Sequence, residues 1–368
     1  MTEYGDGVPG YRTIRVGVPQ APVADLADLA AWQARDPYPD LLSAGHPVFG
    51  LAREREEGGW ELHPYFGAPM PQGARESMAM EFRRLAAEAG RAGDRAGRAE
   101  CLRAAERLDG EKIDETTVLG ARYRVVRAER FIRSGPDGPE PPRSTDPDPA
   151  PAGRADRAHD PAAGFVIDPT VPTGVSEAIL KAELLALVRA AGTAPPPVLR
   201  DSRLAARTHP GGVLLPAAFM VAECVGGRWA PESSLDATTP QGARDGLALA
   251  LRVLDPVRRG LSAAERGQYA RAADRLDRER GCDLRVADRL LRVVRTERLV
   301  RIGPDGPEGP RSSDFDPDLP VLELDRRLRA RGGDPDAESP EPPDEATREL
   351  ARLFRREERR RREQPGRR

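Results

Sequence analysis

The feature that most constrains this chain is that it repeats itself. Residues 104–148 lie on residues 272–316 at a constant shift of 168, without a gap, and 25 of the 45 aligned positions are identical. The densest run, Arg124-Val125-Val126-Arg127-x-Glu129-Arg130, continues through Gly135-Pro136-Asp137-Gly138-Pro139-Glu140 and Pro142-Arg143-Ser144. Its counterpart runs Arg292-Val293-Val294-Arg295-x-Glu297-Arg298, then Gly303 to Glu308 and Pro310-Arg311-Ser312. Upstream the shift becomes 169, where Pro71-Gln72-Gly73-Ala74-Arg75 meets Pro240-Gln241-Gly242-Ala243-Arg244 and Trp60 meets Trp229. Low complexity does not produce Trp, Gln and Glu matches at fixed spacing. The 368 residues therefore divide into a first module (1–138), a Pro- and Asp-rich extended or disordered linker (139–163), a second module (164–331), a disordered linker (332–343) and an Arg-rich helical tail (344–368).

Periodicity gives the elements of one copy. Arg12–Val16 and Phe165–Asp168 read as short strands. A helix near Val23–Trp32 follows, with Leu180, Leu184, Leu187 and Val188 on one face of its twin. Val48–Arg55 and Trp60–His63 form a hairpin turning at Gly58-Gly59. The next helix carries Met78, Phe82 and Leu85 at i, i+4, i+7, with Leu247, Leu251 and Leu254 in the same places. Another starts at Asp94, and its twin starts at Ser262 with Glu265 three residues on, a capping box. Val118–Arg133 is a final strand. The matching 286–301 passes for helix on its own, but Gly120 and Tyr123 in the first copy decide for strand. Each module is thus β-α-β-β-α-α-β, an α+β fold with a small, mostly antiparallel sheet. Copy two is longer by a segment around Thr193–Gly212.

Composition narrows the partners. The net charge is −2 with 32% charged residues, so no global pull toward nucleic acid or an anionic membrane exists. Lys112 and Lys181 are the only lysines, a bias that GC-rich codon choice explains. Cys101, Cys224 and Cys282 are scattered with no CxxC spacing, which speaks against a disulfide framework or zinc site and for a reducing cytoplasm. The first residues have neither a basic nor an apolar leader region, and Gly211–Gly227 is too short to span a bilayer, so no membrane partner is expected.

Four features carry chemistry. The helix openings Gln72, Gly73, Arg75 and Gln241, Gly242, Arg244 are candidate anion sites, because free N–H groups and a guanidinium converge there. The alternative is an ordinary helix start, favoured by a spacing that matches no phosphate loop. Arg127, Glu129 and Arg133, like Arg295, Glu297 and Arg301, share a strand face, read either as a surface for an acidic partner or as ion pairs on a solvated sheet face. The turn Gly135-Pro136-Asp137-Gly138 has type I chemistry, yet the turn does not explain why identity extends beyond it. Asp137, Glu140, Arg143 and Asp146, with Asp305, Glu308, Arg311 and Asp314, are therefore candidate interaction-loop residues that dock on something, their own module included. The tail carries eight Arg against three Glu from Arg355 on, and reads as a solvated helix or as a weak nucleic-acid binder that moderate salt releases. Deleting 345–368 is expected to leave the modules folded.

The Arg-Val-Val-Arg-x-Glu-Arg and Gly-Pro-Asp-Gly-Pro-Glu-x-Pro-Arg-Ser-x-Asp patterns resemble a family of actinobacterial proteins of unknown function with an internally duplicated module. That resemblance implies no activity, cofactor or catalytic residue. The histidines and cysteines do not pair between copies, and no catalytic or metal-binding motif appears, so no catalytic residue, metal or cofactor is assigned. The leading expectation is a non-catalytic cytoplasmic interaction or regulatory protein that binds a protein partner through its modules. The rivals are an enzyme with an asymmetric site in the groove between modules, for example around His63 or His209, and a nucleic-acid-associated protein using the tail.

Overall fold

The computed structural model describes residues 9–17, 22–64, 66–155, 159–188, 192–232, 236–334 and 344–363. Chain order begins with α1 (Pro22–Gln33), β1 (Asp40–Ser43), β2 (Val48–Glu54), β3 (Trp60–Leu62), α2 (Pro71–Arg91), α3 (Arg95–Gly110), β4 (Glu115–Val118), β5 (Ala121–Gly135) and β6 (Gly138–Pro139). The second half follows with β7 (Val166–Ile167), α4 (Val175–Ala186), α5 (Pro196–Thr208), β8 (Gly211–Val225), β9 (Arg228–Pro231), α6 (Pro240–Leu249), one π turn (Ala250–Leu254), α7 (Asp255–Arg258) and α8 (Ala263–Glu279). It ends with β10 (Asp283–Val286), β11 (Arg289–Gly303), β12 (Gly306–Pro307), α9 (Val321–Ala330) and α10 (Glu345–Glu363).

The fold is α+β, and its strands form one curled antiparallel sheet ordered β7-β3-β2-β5-β11-β8-β9. β1, β4 and β6 also pair with β5, and β10 and β12 with β11. Where the sequence suggests a separate sheet in each module, β5 and β11 join the two halves edge to edge. Their register sets Arg130 against Arg298, with Glu129 facing Leu299 and Phe131 facing Glu297. Because 130 and 298 are equivalent in the repeat, the join is centred on one matched pair of residues.

Both faces of the central strands are buried, which accounts for their mixed Arg and Val character. On the outer face Tyr123 and Val125 pack under α2 and α3 with Phe49, Leu51, Met78, Phe82 and Leu108. Leu291 and Val221 pack likewise under α6 and α8 with Leu247, Leu251, Tyr269 and Leu276. The inner face closes on Val48, Trp60, Phe66, Val126, Val213 and Val300. Asp94 caps α3 by accepting from Gly97 N at 2.9 Å, and Ser262 with Glu265 forms the capping box of α8.

Several elements differ from expectation. Arg12–Val16 is not a strand: Gly10–Arg12 is a 3-10 turn closed by Thr13 Oγ1 on Gly10 O at 2.9 Å, and Val16 makes one parallel bridge to Thr173. The final strand of each module is a hairpin, β4–β5 and β10–β11. Its turns hold Leu119 and Ala287 at φ near +50°, positions that carry no Asn-Gly signal. Residues 289–301 are extended, as the first copy predicts, and 287–288 are the turn. The helix continuous in α2 is broken in the second half, because Pro256 lacks the N–H that would bond back to Arg252, and the π turn absorbs the defect. Residues 139–155 pack on the second half, with Glu140 and Ala150 buried. The expected linker 332–343 lies mostly outside the described residues.

Like charges directly opposite in a sheet repel, and the central arginines resolve this by diverging. Arg130 Nε donates to His46 O at 2.8 Å and its Nη1 to Asp236 at 2.8 Å. Arg298 donates to Pro216 O from Nε (3.1 Å) and Nη2 (2.6 Å), and from Nη1 to Phe66 O at 3.3 Å. Each arginine thus fills the irregular step in its own half's neighbouring strand and reaches one loop of the other half. Arg298 is 1% exposed, and burial lowers its pKa against the pull of Asp236 and Asp160. Replacing it by Ala leaves buried carbonyls without donors and opens a cavity. Arg298→Ala is expected to lose about 3 kcal/mol or more in urea unfolding, and Arg298→Met to lose less because it keeps the volume.

Candidate functional site

The matched residues beyond each turn form two arms that cross to the opposite half. The arm 140–148 leaves β6 and lies on the second half, while 308–316 leaves β12 and lies on the first. Each arm meets the same partners in the same order.

The turn comes first. Gly138 has φ +101°, and a Cβ there would stand 2.3 Å from Trp229 Nε1; Gly306, at φ +105°, meets Trp60 Nε1 at 2.5 Å. Only glycine tolerates both that φ and that approach. Arg292 stacks 5.0 Å over the Trp229 ring and donates to Asp137 O and Pro139 O. Arg124 stacks 4.8 Å over Trp60 and donates to Asp305 O and Pro307 O. Asp305 also pairs with Arg122 and Arg124, which hold its carboxyl below the usual range.

The charged middle of each arm covers the arginine face of the central strand. Glu308 O accepts from Arg127 N and Glu140 O from Arg295 N, both at 2.9 Å. Glu308 holds Arg311, which reaches Glu129 at 2.9 Å, while Asp314 takes Arg127 at 2.9 Å. In the other half Glu140 holds Arg143, which reaches Glu297 at 3.5 Å, while Asp146 takes Arg295 at 3.1 Å. Arg127, Arg133, Glu297 and Arg301 are all buried. The sheet face expected to be solvated is therefore enclosed; a strand rich in Arg reads as exposed when nothing local says what covers it.

Each arm ends on a helix N-terminus. Asp316 Oδ1 accepts from Gln72 N at 3.2 Å and its Oδ2 from Arg75 at 2.7 Å, with Lys112 at 2.9 Å. Asp148 Oδ1 accepts from Gln241 N at 2.8 Å and its Oδ2 from Arg244 at 2.7 Å, with Arg280 at 2.8 Å. Burial raises both carboxyls, but Arg75 with Lys112, and Arg244 with Arg280, hold them below the usual aspartate range. Gly73 and Gly242 pack against the preceding turn, where added Cβ atoms would meet Ala68 and Ala237 at 3.2 and 3.0 Å. The candidate anion residues and the candidate loop residues are thus brought into one assembly, and the anion at each helix start is a carboxylate of the chain itself. Asp148 and Asp316 close the aligned segment as a matched pair, a signal that sequence reasoning did not use.

The other candidates lie apart. His63 Nε2 is 3.0 Å from Glu81 Oε2. Burial raises Glu81, but hydrogen bonds from Arg84 and His63 hold it at about 2, so it stays ionised at neutral pH. His209 caps α5 against Thr208 and Gly303, and burial lowers its pKa. Among the described residues, no group of three or more His, Cys, Asp or Glu is arranged to hold a metal. No described helix is long and apolar enough to cross a membrane. In the tail, Glu357 is buried between Arg252, Arg360 and Arg361, and Arg360 reaches Asp277 at 3.2 Å.

The fold and site define an α+β protein whose halves clasp one another through exchanged acidic and basic arms. The chain belongs to the family described as a family of unknown function, DUF5954, which matches residues 21–317. The match covers both arms and both helix openings and leaves α9 and the tail outside. No curated protein and no solved structure matches.

Two outcomes follow from this geometry. Burial raises Glu129, but Arg127, Arg311 and Arg301 outweigh it and hold the carboxyl at about 2, against 4.5 ordinarily. A carboxyl lowered by folding stabilises fully above its unfolded value and ceases to as pH falls through its folded one. Urea unfolding should therefore show a loss of roughly 3 kcal/mol from this group between pH ~4.5 and ~2. Glu129→Gln should be less stable at neutral pH and fall less steeply across that window. At the helix starts, inorganic phosphate should leave the melting temperature of the native chain unchanged, because Asp316 and Asp148 fill the sites. Asp316→Ala should melt lower and recover in part with phosphate, and adding Arg75→Ala should abolish that recovery.

Proposed function

We propose that this chain is a non-catalytic cytoplasmic interaction protein that arose by duplication of one module and binds a protein partner through the exposed face of α1. The observation that carries the reading is that Val23, Leu26, Leu29 and Trp32 of this one helix are 72%, 58%, 52% and 53% exposed. Exposed large apolar residues gathered on one element mark an interaction surface. The neighbourhood extends the patch. Asp28 of α1 accepts from Ser176 N at 3.0 Å, which sets α1 beside α4, and exposed Val171, Val175 and Val16 lie around that junction. Arg35 stacks 5.7 Å from the Trp32 ring and pairs with Glu183 at 2.7 Å, bordering the apolar face with charge. An apolar centre with a polar rim is the anatomy of a protein interface, and Trp is the residue type most often dominant within one.

The duplication is supported by the matched arms, by the order of elements common to both halves, and by the Arg130–Arg298 pair at the join. Three unpaired cysteines fit a reducing compartment. The tail arginines argue against the nucleic-acid reading, because Arg360 and Arg361 already meet Glu357 and, in the case of Arg360, Asp277.

The test compares baits in the native host. Leu26→Glu with Leu29→Glu changes only exposed side chains, so the melting temperature should move by no more than about 2 °C. A partner cross-linked to the native chain should be lost from this double variant, with affinity down at least about tenfold, or ~1.4 kcal/mol. A partner retained at full strength by the variant would remove α1 from the reading.

A further inference from the structure

The position that α10 occupies on the second half has an uncovered counterpart on the first. On the second half α10 sets Glu357 against Arg252 (3.5 Å), Arg360 against Asp277 (3.2 Å) and Glu349 against Arg266, and Arg361 donates to Asp245 O. Arg252 itself pairs with Asp274 and Asp277 at 2.7 and 2.6 Å. In the repeat alignment Arg252, Asp277, Asp274, Arg266 and Asp245 stand opposite Arg83, Asp109, Glu106, Arg98 and Glu76. Every charge is kept. The first-half pair is also formed, since Arg83 holds Asp109 as Arg252 holds Asp277.

What differs is cover. The Arg83 side chain is 47% exposed where Arg252, beneath α10, is 8%. Met80 is 62% exposed, while Leu249, its counterpart, is half-buried. Glu76, Arg98 and Glu106 are exposed, whereas Asp245 is buried and Arg266 and Asp274 are half-buried. α9 packs on the first half near Gly110, where Arg326 approaches, and leaves Arg83, Met80 and Arg98 open. One chemical surface thus occurs twice, once under a helix and once bare.

We propose that the α2–α3 face of the first half is a docking site for a partner protein's helix with the charge pattern of α10: a glutamate for Arg83 and an arginine one turn on for Asp109, with an apolar residue over Met80. Charge complementarity carries the assignment, because the same charges at the matching positions already hold such a helix. Desolvated pairs of this kind confer partner choice more than raw affinity, since a helix of opposite pattern meets like charges. The proposal deepens the protein-binding reading by naming a second surface, and it fails separately, because α1 variants leave this face intact.

The experiment uses a fluorescent peptide of residues 344–363 as probe, titrated into the full chain by anisotropy. Saturable 1:1 binding is expected, weakened at least tenfold by Arg83→Glu and measurably by the milder Arg83→Gln. Partial restoration is expected when Arg83→Glu meets a peptide carrying Glu357→Arg. Absence of saturable binding overturns the proposal, and so does binding unchanged by both Arg83 variants, which would mean that the peptide displaces α10 from the second half. Sedimentation of the chain alone completes the test. A monomer is expected, and a dimer abolished by Arg83→Glu would make a second copy the occupant and overturn the partner assignment.

Discussion

The antiparallel pairing of β5 with β11 is the constraint on which everything else hangs. It places two equivalent strands side by side about Arg130 and Arg298, and so makes one sheet of what the repeat alone presents as two modules. Two guanidiniums facing each other across a ladder are unfavourable unless both find other partners. Here each finds a carbonyl in its own half and a group in the other, so the repulsion becomes a pair of interlocking contacts. The two sides are not identical, because Asp236 serves Arg130 while Gly67 stands at the matching position on the other side. Arg298 meets carbonyl oxygens instead, and its burial lowers its pKa.

Around that join the arms convert exposed-looking sequence into interior. Buried arginines are tolerable only when each is paired and hydrogen-bonded. The arms meet this demand from the far half: Asp314 for Arg127, Asp146 for Arg295, Arg311 for Glu129 and Arg143 for Glu297. Networks of this kind contribute little net stability compared with an apolar core of equal volume, but removing one member leaves an uncompensated charge. Their value lies in selecting one arrangement, since an arm docked on its own half would not reach these partners.

How much of this is legible in the sequence follows from the reach of each signal. The β2–β3 hairpin, the α2 and α6 apolar faces and the caps at Asp94 and Ser262 are local patterns, and the sequence shows them. That Glu140, Arg143 and Asp146 match their twins while 113–123 has drifted is also visible, and it points to a docked loop. Where the loop docks is not visible, because the partners lie 149 and 187 residues away in the chain. The same separation hides the burial of Arg127 and Arg133 and the identity of the anions at Gln72 and Gln241. β1 gives no signal because Asp40-Leu41-Leu42-Ser43 is short and lacks alternation, and α5 and α9 give little because neither belongs to the repeat. The periodicity of α1 says which residues share a side and not what lies against them, so its exposed face is invisible until the neighbours are placed.

The exchanged arms also bear on how the chain is made. The first half emerges from the ribosome with Trp60, Arg127 and the start of α2 uncovered, because their partners are Gly306, Asp314 and Asp316. At roughly 5–20 residues per second, the interval between synthesis of residue 148 and residue 316 is on the order of ten to thirty seconds. Throughout that time the edge of β5 awaits β11 and is open to the wrong strand, including the β5 of another nascent chain on the same message. Asp314 and Asp316, which meet Arg127 and Arg75 in the finished molecule, are among the last residues of the second half to arrive, so those contacts close only at the end.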